Sequence, residues 1–388
     1  MPGPDERTRL TPAPLPQAPL DDAQRLACLR LIRSENVGPV TFRELINHCG
    51  GAERALAALP DLSRRGGRAI RICPRDVAEA ELDAARAIGA HPLFTIEPGY
   101  PPALAVLEAP PPLLYVKGRA EHLTRPMFAI VGARNGSAAG QKIARHFASG
   151  IGAAGYVIAS GLARGIDAAA HEAALTTGTV AVLAGGLDTV YPPENARLQA
   201  AIAEHGCLIS ENPPGFVPRG KDFPRRNRII SGVSLGVLVV EAARRSGTLT
   251  TARMAGEQGR DVFAVPGHPL DPRAEGTNML LKSGATLVTE PEDVLDALSP
   301  MLREPLLPYG DPDSTVATAP PRDTVERQPH IEDSDRERVF DALGPAPIDI
   351  DALGRATGLP VRALQIALVE LALAGRIERH GHQLVSRR

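Results

Sequence analysis

The chain contains 388 residues, of which 43% are apolar, so it is long enough for two or three domains with packed cores. Only 3% of the residues are aromatic and none is tryptophan, which predicts cores of Ala, Leu, Val and Ile. The formal net charge of −2 excludes a protein whose entire surface is basic. Any site for nucleic acid must therefore be local.

The four cysteines stand far apart without a C-x-x-C pair, which predicts neither a metal site nor a disulfide framework: Cys28, Cys49, Cys73 and Cys207. The Pro-rich, charged N-terminus lacks the apolar core of a secretory signal. No stretch approaches the roughly 18 uninterrupted apolar residues of a membrane span. These features predict a cytoplasmic protein with no membrane contact.

The first part of the chain is predicted to be an arm followed by a helical domain. Residues 1–20 contain six prolines, a composition typical of disorder. Helical periodicity begins at Asp21 and Asp22, which can cap a first helix, and continues to about residue 90. The Val-Gly-Pro turn at 37–39 is typical of a SAM-like or helix-hairpin-helix module. Such hairpins bind DNA phosphates in some proteins and are plain helical bundles in others, and both interpretations stay open here.

Within a domain predicted at residues 91–302, strand-length apolar runs alternate with Ala-rich helical runs from Phe128 onward. The runs FAIVG, YVIAS, TVAVLAG, CLISE and LGVLVVEA are continuously apolar, which indicates strands buried on both faces of a parallel sheet. Alternation of strands with helices is typical of a doubly wound fold. The sequence therefore predicts an extended Rossmann-like α/β domain with a mostly parallel sheet.

The last part is predicted to be a linker and a small third domain. Residues 303–332 are rich in Pro, Asp and Thr, which is typical of a linker. Residues 333–388 show three helical patterns and two strand-like pieces, which predicts a winged-helix-like domain. Its third helical run, VRALQIALVELALAG, has Arg362 as its one cation. We therefore expect this helix to pack or to contact protein rather than to read a major groove.

In an open parallel sheet, ligands bind beyond the C-terminal ends of the strands, so candidate residues are sought in those loops. In the first loop, IVGARNGSAAG, Gly132 leaves room for a close approach and Arg134 can clamp a phosphate with its planar guanidinium. Ser137 can cap the next helix. The dinucleotide fingerprint G-x-G-x-x-G is absent, and a glycine-rich turn that only packs is the alternative.

The second loop, ASGLARGIDAAAHEAAL, is predicted to form a tight turn with unpaired backbone N–H groups and one cation, from Ser160, Gly161, Arg164 and Gly165. Asp167 and His171 follow at helical spacing. No nucleophile or third metal ligand accompanies them, so we expect an Asp–His hydrogen bond that anchors the loop. In the loop after the next strand, Tyr191 with two prolines is either a wall of the pocket or a turn.

The segment PRGKDFPRRNRIISG carries five cations within ten residues: Arg219, Lys221, Arg225, Arg226 and Arg228. A positive groove that follows a phosphate backbone, with an aromatic ring on which a base stacks, is the minimal apparatus for binding single strands. Phe223 supplies such a ring, and Asn227 can both donate and accept. A solvated loop is the alternative, which Phe223-Pro224 disfavours because these residues suit a free surface poorly.

A further strand-end loop contains Ser246, Gly247 and Thr248, which open a helix and offer hydroxyl and amide groups to an anion. Glu241, at the end of the preceding strand, is expected to orient an arginine rather than to act as a general base.

Taken together, these segments resemble the DprA/Smf family along essentially the whole chain. The resemblance rests on several blocks in order, among them GARNGSAAG, SGLARGID, GGLDTVYPPEN, FPRRNRIISG and GRDVFAVPG. It implies a non-catalytic protein without a cofactor that binds single-stranded DNA, protects incoming DNA and loads RecA onto it in natural transformation and recombination. It also implies a homodimer formed through the Rossmann-like domain. Transferred by motif, it implies DNA contacts at Arg134, Ser160, Gly161, Arg164, Lys221, Phe223, Arg226 and Arg228.

Two other functions are compatible with a glycine-rich α/β fold. Lysine-decarboxylase-like (LOG) phosphoribohydrolases use the motif P-G-G-x-G-T-x-x-E, but here Thr251 stands where the glutamate is required. A nucleotide-binding regulator is the second alternative. The five cations disfavour it, because a small nucleotide needs one or two.

Overall fold

The computed structural model describes residues 19–303, 332–381 and 383–388. The predicted arm falls almost entirely outside the described residues, and so does the predicted linker. The described chain forms a helical domain, a large α/β domain and a small domain of helices and strands. None of its helices is by itself long and apolar enough to cross a membrane. Helices α14 and α15, defined below, meet those criteria only as a pair bent by 110°.

The N-terminal helical domain consists of α1 (Asp22–Arg33), α2 (Pro39–Cys49), α3 (Ala52–Arg65) and α4 (Arg75–Ala87). Asp21 caps α1 as expected: its side chain accepts from the backbone N–H of Gln24, and the Gln24 side chain accepts from the Asp21 N–H. Pro39 occupies the first turn of α2, where no intrahelical N–H is needed.

Nine strands form one sheet in the order β1-β2-β6-β5-β4-β3-β7-β8-β9. Pairs β1–β2 and β2–β6 are antiparallel and the others are parallel. The strands are β1 (His91–Phe94), β2 (Leu113–Gly118), β3 (Met127–Val131), β4 (Val157–Ser160), β5 (Thr179–Val182), β6 (Cys207–Ser210), β7 (Gly236–Val239), β8 (Asp261–Ala264) and β9 (Thr286–Leu287). The predicted doubly wound, mostly parallel α/β fold is thereby confirmed.

The helices of this domain are α5 (Pro102–Ala105), α6 (Ala138–Ala153), α7 (Ile166–Ala174), α8 (Ala196–His205), α9 (Asp222–Gly232), α10 (Thr248–Glu257), α11 (Glu275–Lys282) and α12 (Pro291–Arg303). They cover both faces of the sheet. On β3, Ala129 packs into one apolar core while Phe128 and Ile130 pack into the other. Because alternate side chains enter different cores, a central strand must be apolar at every position.

The C-terminal domain contains α13 (Asp333–Asp341), β10 (Ile348–Asp349), α14 (Ile350–Thr357), α15 (Val361–Leu373), β11 (Ile377–His380) and β12 (Leu384–Arg387). The strands form an antiparallel sheet in the order β10-β12-β11. This arrangement confirms the predicted winged-helix domain. Its third helix is α15.

Helix α15 packs against the N-terminal helical domain as well as its own domain. Val369 and Leu373 belong to the apolar core formed by α1, α2 and α3. The Asn36 amide donates to the Leu373 carbonyl at 2.8 Å. Arg379 of β11 forms an ion pair with Glu44 of α2 at 2.5 Å. The helix that would enter a groove in other winged-helix proteins is therefore buried from Ile366 to Leu373 by packing that includes the N-terminal domain, while Val361 and Arg362 in its first turn stay exposed.

Candidate nucleic-acid interface

An open cleft lies beyond the C-terminal ends of β3, β4 and β5, and α9 closes one side of it. It is lined by residues of the three strand-end loops and of the segment that leads into α9. The lining residues are Arg134, Gly161, Leu162, Ala163, Arg164, Leu183, Ala184, Gly185, Thr189, Tyr191, Pro192, Pro218, Phe223 and Arg226.

Two aromatic rings and a guanidinium group stand together in the cleft. The Arg134 guanidinium carbon lies 5.4 Å from the centroid of the Phe223 ring. The Tyr191 ring is tilted by 48° against Phe223, with 5.1 Å between the centroids. Tyr191 is exposed, with 46% of its surface accessible, whereas Phe223 is half-buried. The sequence left open whether Tyr191 lines a pocket or only forms a turn, and the structure shows that it lines the cleft.

Arg226 lies at the base of the cleft and holds its loops together. Its Nη1 donates to the carbonyl of Gly161 at 2.6 Å and to the carbonyl of Val182, and its Nε donates to the Asn227 side chain at 3.1 Å. Burial, together with the charge of Arg134, lowers the pKa of Arg226 to about 10, although Asp167 opposes the shift. The guanidinium therefore stays charged at neutral pH, but much of its hydrogen-bonding capacity is used inside the protein.

The basic segment is helical from Asp222, and the helix divides its cations between two directions. Phe223 and Arg226, three residues apart, face the cleft. Arg225 and Arg228, also three apart, form ion pairs with Glu211 at the end of β6. The sequence analysis placed all four residues in one DNA-binding groove. The structure corrects this prediction for Arg225 and Arg228, which do not line the cleft. Lys221 and Arg219 are exposed just before the helix.

At the end of β4 and in the loop after it, the structure places Gly161 and Arg164 on the cleft but not Ser160 or Gly165. Ser160 is fully buried and its hydroxyl donates to the Ile130 carbonyl at 2.6 Å, so it supports the loop from beneath. Gly165 has φ +76°, and an added Cβ would lie 2.5 Å from the Ala133 carbonyl oxygen. This glycine is required by the backbone turn and by close contact with the first loop.

The crevice between β3 and β7, where the strand order reverses, is filled by contacts within the protein. Glu241 accepts from the Ser137 hydroxyl at 2.5 Å and from the Ser137 N–H at 2.9 Å, a partner that the sequence did not predict. Ser137 caps α6 as expected. Thr248 donates to the Gly132 carbonyl at 3.0 Å and accepts from Ser246.

The candidates at this crevice, Gly132, Ser137, Ser246, Gly247 and Thr248, are therefore absent from the lining of the cleft. The usual ligand position of a doubly wound sheet is occupied by a carboxylate of the chain itself. The glycines of this crevice are explained by the same internal packing. An added Cβ on Gly132 would lie 2.6 Å from Ile166, and one on Gly140 would lie 2.5 Å from Glu241. These glycines allow close packing rather than approach of a ligand.

The expected Asp167–His171 hydrogen bond is not formed. Asp167 accepts from the N–H of Ala163, and burial raises its pKa. His171 Nδ1 lies 2.7 Å from the Thr179 hydroxyl, which donates to the Ile158 carbonyl. The hydroxyl proton is thereby used, so Nδ1 carries the proton and donates to Thr179. Asp167 therefore anchors the loop, whereas His171 bonds to the first residue of β5, and the expected pairing of the two side chains is wrong.

This buried histidine makes stability depend on pH. Burial and the charge of Arg226 lower the pKa of His171 to about 3, from 6.5 in the unfolded chain. The unfolded state therefore binds more protons below pH 6.5, and stability falls with falling pH by up to about 1.4 kcal/mol per unit. We expect His171→Asn, whose amide can still donate to Thr179, to flatten this slope between about pH 6 and 5 in urea denaturation. An unchanged slope would contradict a neutral buried His171.

The fold and the site define a class: a doubly wound α/β protein with a cationic, ring-lined cleft at its strand ends, flanked by a helical domain and a winged-helix domain. Models of known families match all three parts. DNA recombination-mediator protein A matches residues 91–299, the DprA-like N-terminal HHH domain matches 22–84, and the DprA winged helix domain matches 317–382. The chain belongs to the DprA/Smf family of DNA processing proteins.

Relatives and solved structures agree with this assignment. Protein Smf of Escherichia coli is 41% identical over 281 residues, which is 72% of each chain. Protein Smf of Synechocystis is 32% identical over 91% of this chain and 96% of its own. DprA from Streptococcus pneumoniae has a TM-score of 0.59 at 36% identity, covering 69% of this chain and 95% of that one. DprA from Helicobacter pylori, whose structure concerns its single-stranded DNA binding mode, has a TM-score of 0.50 at 30% identity. The match covers 55% of this chain and 96% of that one.

Proposed function

We propose that this chain binds single-stranded DNA in the cleft, without sequence preference and without catalysing a reaction on it. The observation that carries the proposal is that Arg134, Phe223 and Tyr191 surround one open cleft, with Arg226 at its base. Guanidinium groups bind phosphates of any sequence, and aromatic rings stack with every base. The Helicobacter pylori relative supports the same ligand.

The lining of the cleft supports a binding role over an enzymatic one. The described residues that line it include no carboxylate, imidazole or thiol, the usual groups for acid–base or nucleophilic chemistry. Asp167 and His171 lie buried beneath the loop. Glu241, near the usual phosphate position, is hydrogen-bonded to Ser137. The phosphoribohydrolase alternative thus lacks both the required glutamate and a vacant phosphate site.

We infer the cellular role from family membership. In this proposal the chain protects incoming single strands and delivers them to RecA during natural transformation and homologous recombination. It acts in the cytoplasm as a homodimer formed through the Rossmann-like domain. No residues are assigned to either protein contact.

The test is oligo-dT binding by the full-length protein and by Arg134→Ala. Loss of one charged phosphate contact is expected to weaken binding about tenfold and to reduce the slope of log affinity against log salt by about 0.7. Arg253→Ala is the matched control, because Arg253 is similarly exposed but lies on α10 and pairs with Glu257. Equal affinity of Arg134→Ala and the parent would refute the assignment. Release of free base from nucleoside monophosphates would instead support the hydrolase.

A further inference from the structure

A second concentration of arginines lies where the winged-helix domain meets the N-terminal helical domain. We call it the arginine seam and define it as Arg65, Arg68, Arg376, Arg387 and Arg388. Arg65 ends α3, Arg68 follows it, and the other three flank or belong to the strands of the wing. Arg65, Arg68, Arg387 and Arg388 are exposed.

Close packing of the two domains brings these residues together. Gly66 lies against the backbone of α15, so that an added Cβ would be 1.9 Å from the Glu370 carbonyl oxygen. A Cβ on Gly67 would lie 3.6 Å from the Arg376 guanidinium, and one on Gly375 would lie 3.7 Å from the Arg388 guanidinium. The backbone N–H of Arg388 donates to the Arg376 carbonyl at 3.1 Å. The seam is therefore one surface built from two domains.

The five guanidinium groups of the seam outnumber the three described side-chain carboxylates that lie within ion-pair distance of them. Arg68 pairs with Glu35 at 2.6 Å, and Arg387 lies 3.9 Å from Asp341. Arg65 lies 3.9 Å from Glu370, but this carboxylate is buried and already forms an ion pair with Arg336. Exposed ion pairs of this kind are weak, so a polyanion can displace them at little cost.

The aromatic ring at the seam is not available for stacking. The guanidinium carbons of Arg376 and Arg387 lie 3.7 and 3.8 Å from the centroid of the Phe340 ring. Two groups this close to one centroid occupy opposite faces of the ring. A site for single strands combines cations with a free ring, whereas binding to the backbone of a duplex needs cations alone. The seam fits the second requirement.

We propose that the arginine seam binds the phosphate backbone of duplex DNA, independently of the cleft. This inference goes beyond the proposed function, which concerns single strands. It also differs from groove reading by a winged helix, because none of the seam arginines lies on α15. A protein with both sites holds a single strand and a neighbouring duplex at the same time.

The test compares binding of full-length protein to a duplex of about 30 base pairs and to oligo-dT of the same length over about 50–200 mM salt. Arg68→Gln/Arg388→Gln is expected to weaken duplex binding about tenfold and to reduce its salt slope by about 2, without changing oligo-dT binding. Arg75→Gln/Arg86→Gln removes the same charge from α4, outside the seam, and should bind duplex as the parent does. Arg68→Lys/Arg388→Lys should restore duplex binding.

Three outcomes would overturn the proposal. They are unchanged duplex binding by Arg68→Gln/Arg388→Gln, an equal loss of oligo-dT binding in that variant, and loss of duplex binding in Arg134→Ala to the same extent as oligo-dT binding. Thermal unfolding of each variant shows whether it is folded, and the Lys variant separates loss of charge from loss of structure. Failure of the single-strand proposal appears separately, as unchanged oligo-dT binding in Arg134→Ala.

Discussion

Arg226→Met is expected to lower the free energy of unfolding by about 3–5 kcal/mol, because it removes a buried charge and leaves its partners unsatisfied. The buried carbonyls of Gly161 and Val182 would lose their shared donor. Asp167, which is buried close enough to interact with the guanidinium charge, would lose its compensating cation. Urea denaturation of parent and variant measures the difference.

The matched control is Arg225→Ala on the same helix. Its side chain is 63% exposed and pairs with Glu211, which keeps Arg228 as a second partner. Removing such an exposed pair is expected to cost less than about 1 kcal/mol. If both substitutions lower the free energy of unfolding by the same small amount, Arg226 does not hold the loops of the cleft together. Weak DNA binding by Arg226→Met is thus no measure of a direct contact until its folding has been established.

Tyr191→Ala is expected to weaken oligo-dT binding about 30-fold, a loss of about 2 kcal/mol, because one base stacks on this ring. Phe223 contacts both Arg134 and Tyr191, and it is only partly exposed. Tyr191 offers the more accessible aromatic surface at the rim of the same cleft. Fluorescence anisotropy with a labelled oligo-dT measures the change.

Two controls separate stacking from other effects of this substitution. Tyr191→Phe keeps the ring and removes the hydroxyl, so it should bind within about twofold of the parent if stacking dominates. Val190→Ala truncates the neighbouring exposed side chain, which does not line the cleft, and should have no effect. Normal binding by Tyr191→Ala would leave Phe223 as the stacking residue, as the sequence predicted.

The fold was predictable because its signals are local. The central strands are apolar at every position, since both faces pack into cores, and each is followed by a helix-forming run. Asp21 and Ser137 cap helices in the way that their short polar side chains predict. The apolar third helix of the winged-helix domain was expected to pack, and it does.

The composition of the site was less predictable than its location. Of the candidate residues, Arg134, Gly161, Arg164, Phe223 and Arg226 line the cleft. Others that share its motifs support the loops from beneath or fill the crevice between β3 and β7, as Ser160 and Ser137 do. A motif shows that a loop lies at a strand end but not which side chains point outward, because this depends on partners distant in the sequence, such as Ile130 for Ser160 and Glu241 for Ser137.

The sequence by itself determined the α/β architecture, the three-part organisation and the presence of a local basic, aromatic segment, because hydrophobic periodicity, capping and charge are properties of neighbouring residues. The tertiary structure decided how that segment is used. Helix α9 turns Phe223 and Arg226 toward the cleft and Arg225 and Arg228 toward Glu211, a division that depends on helical phase and on a carboxylate that follows β6. Docking of α15 on the N-terminal domain likewise formed the arginine seam from two stretches about 300 residues apart in the chain, beyond the reach of any local pattern.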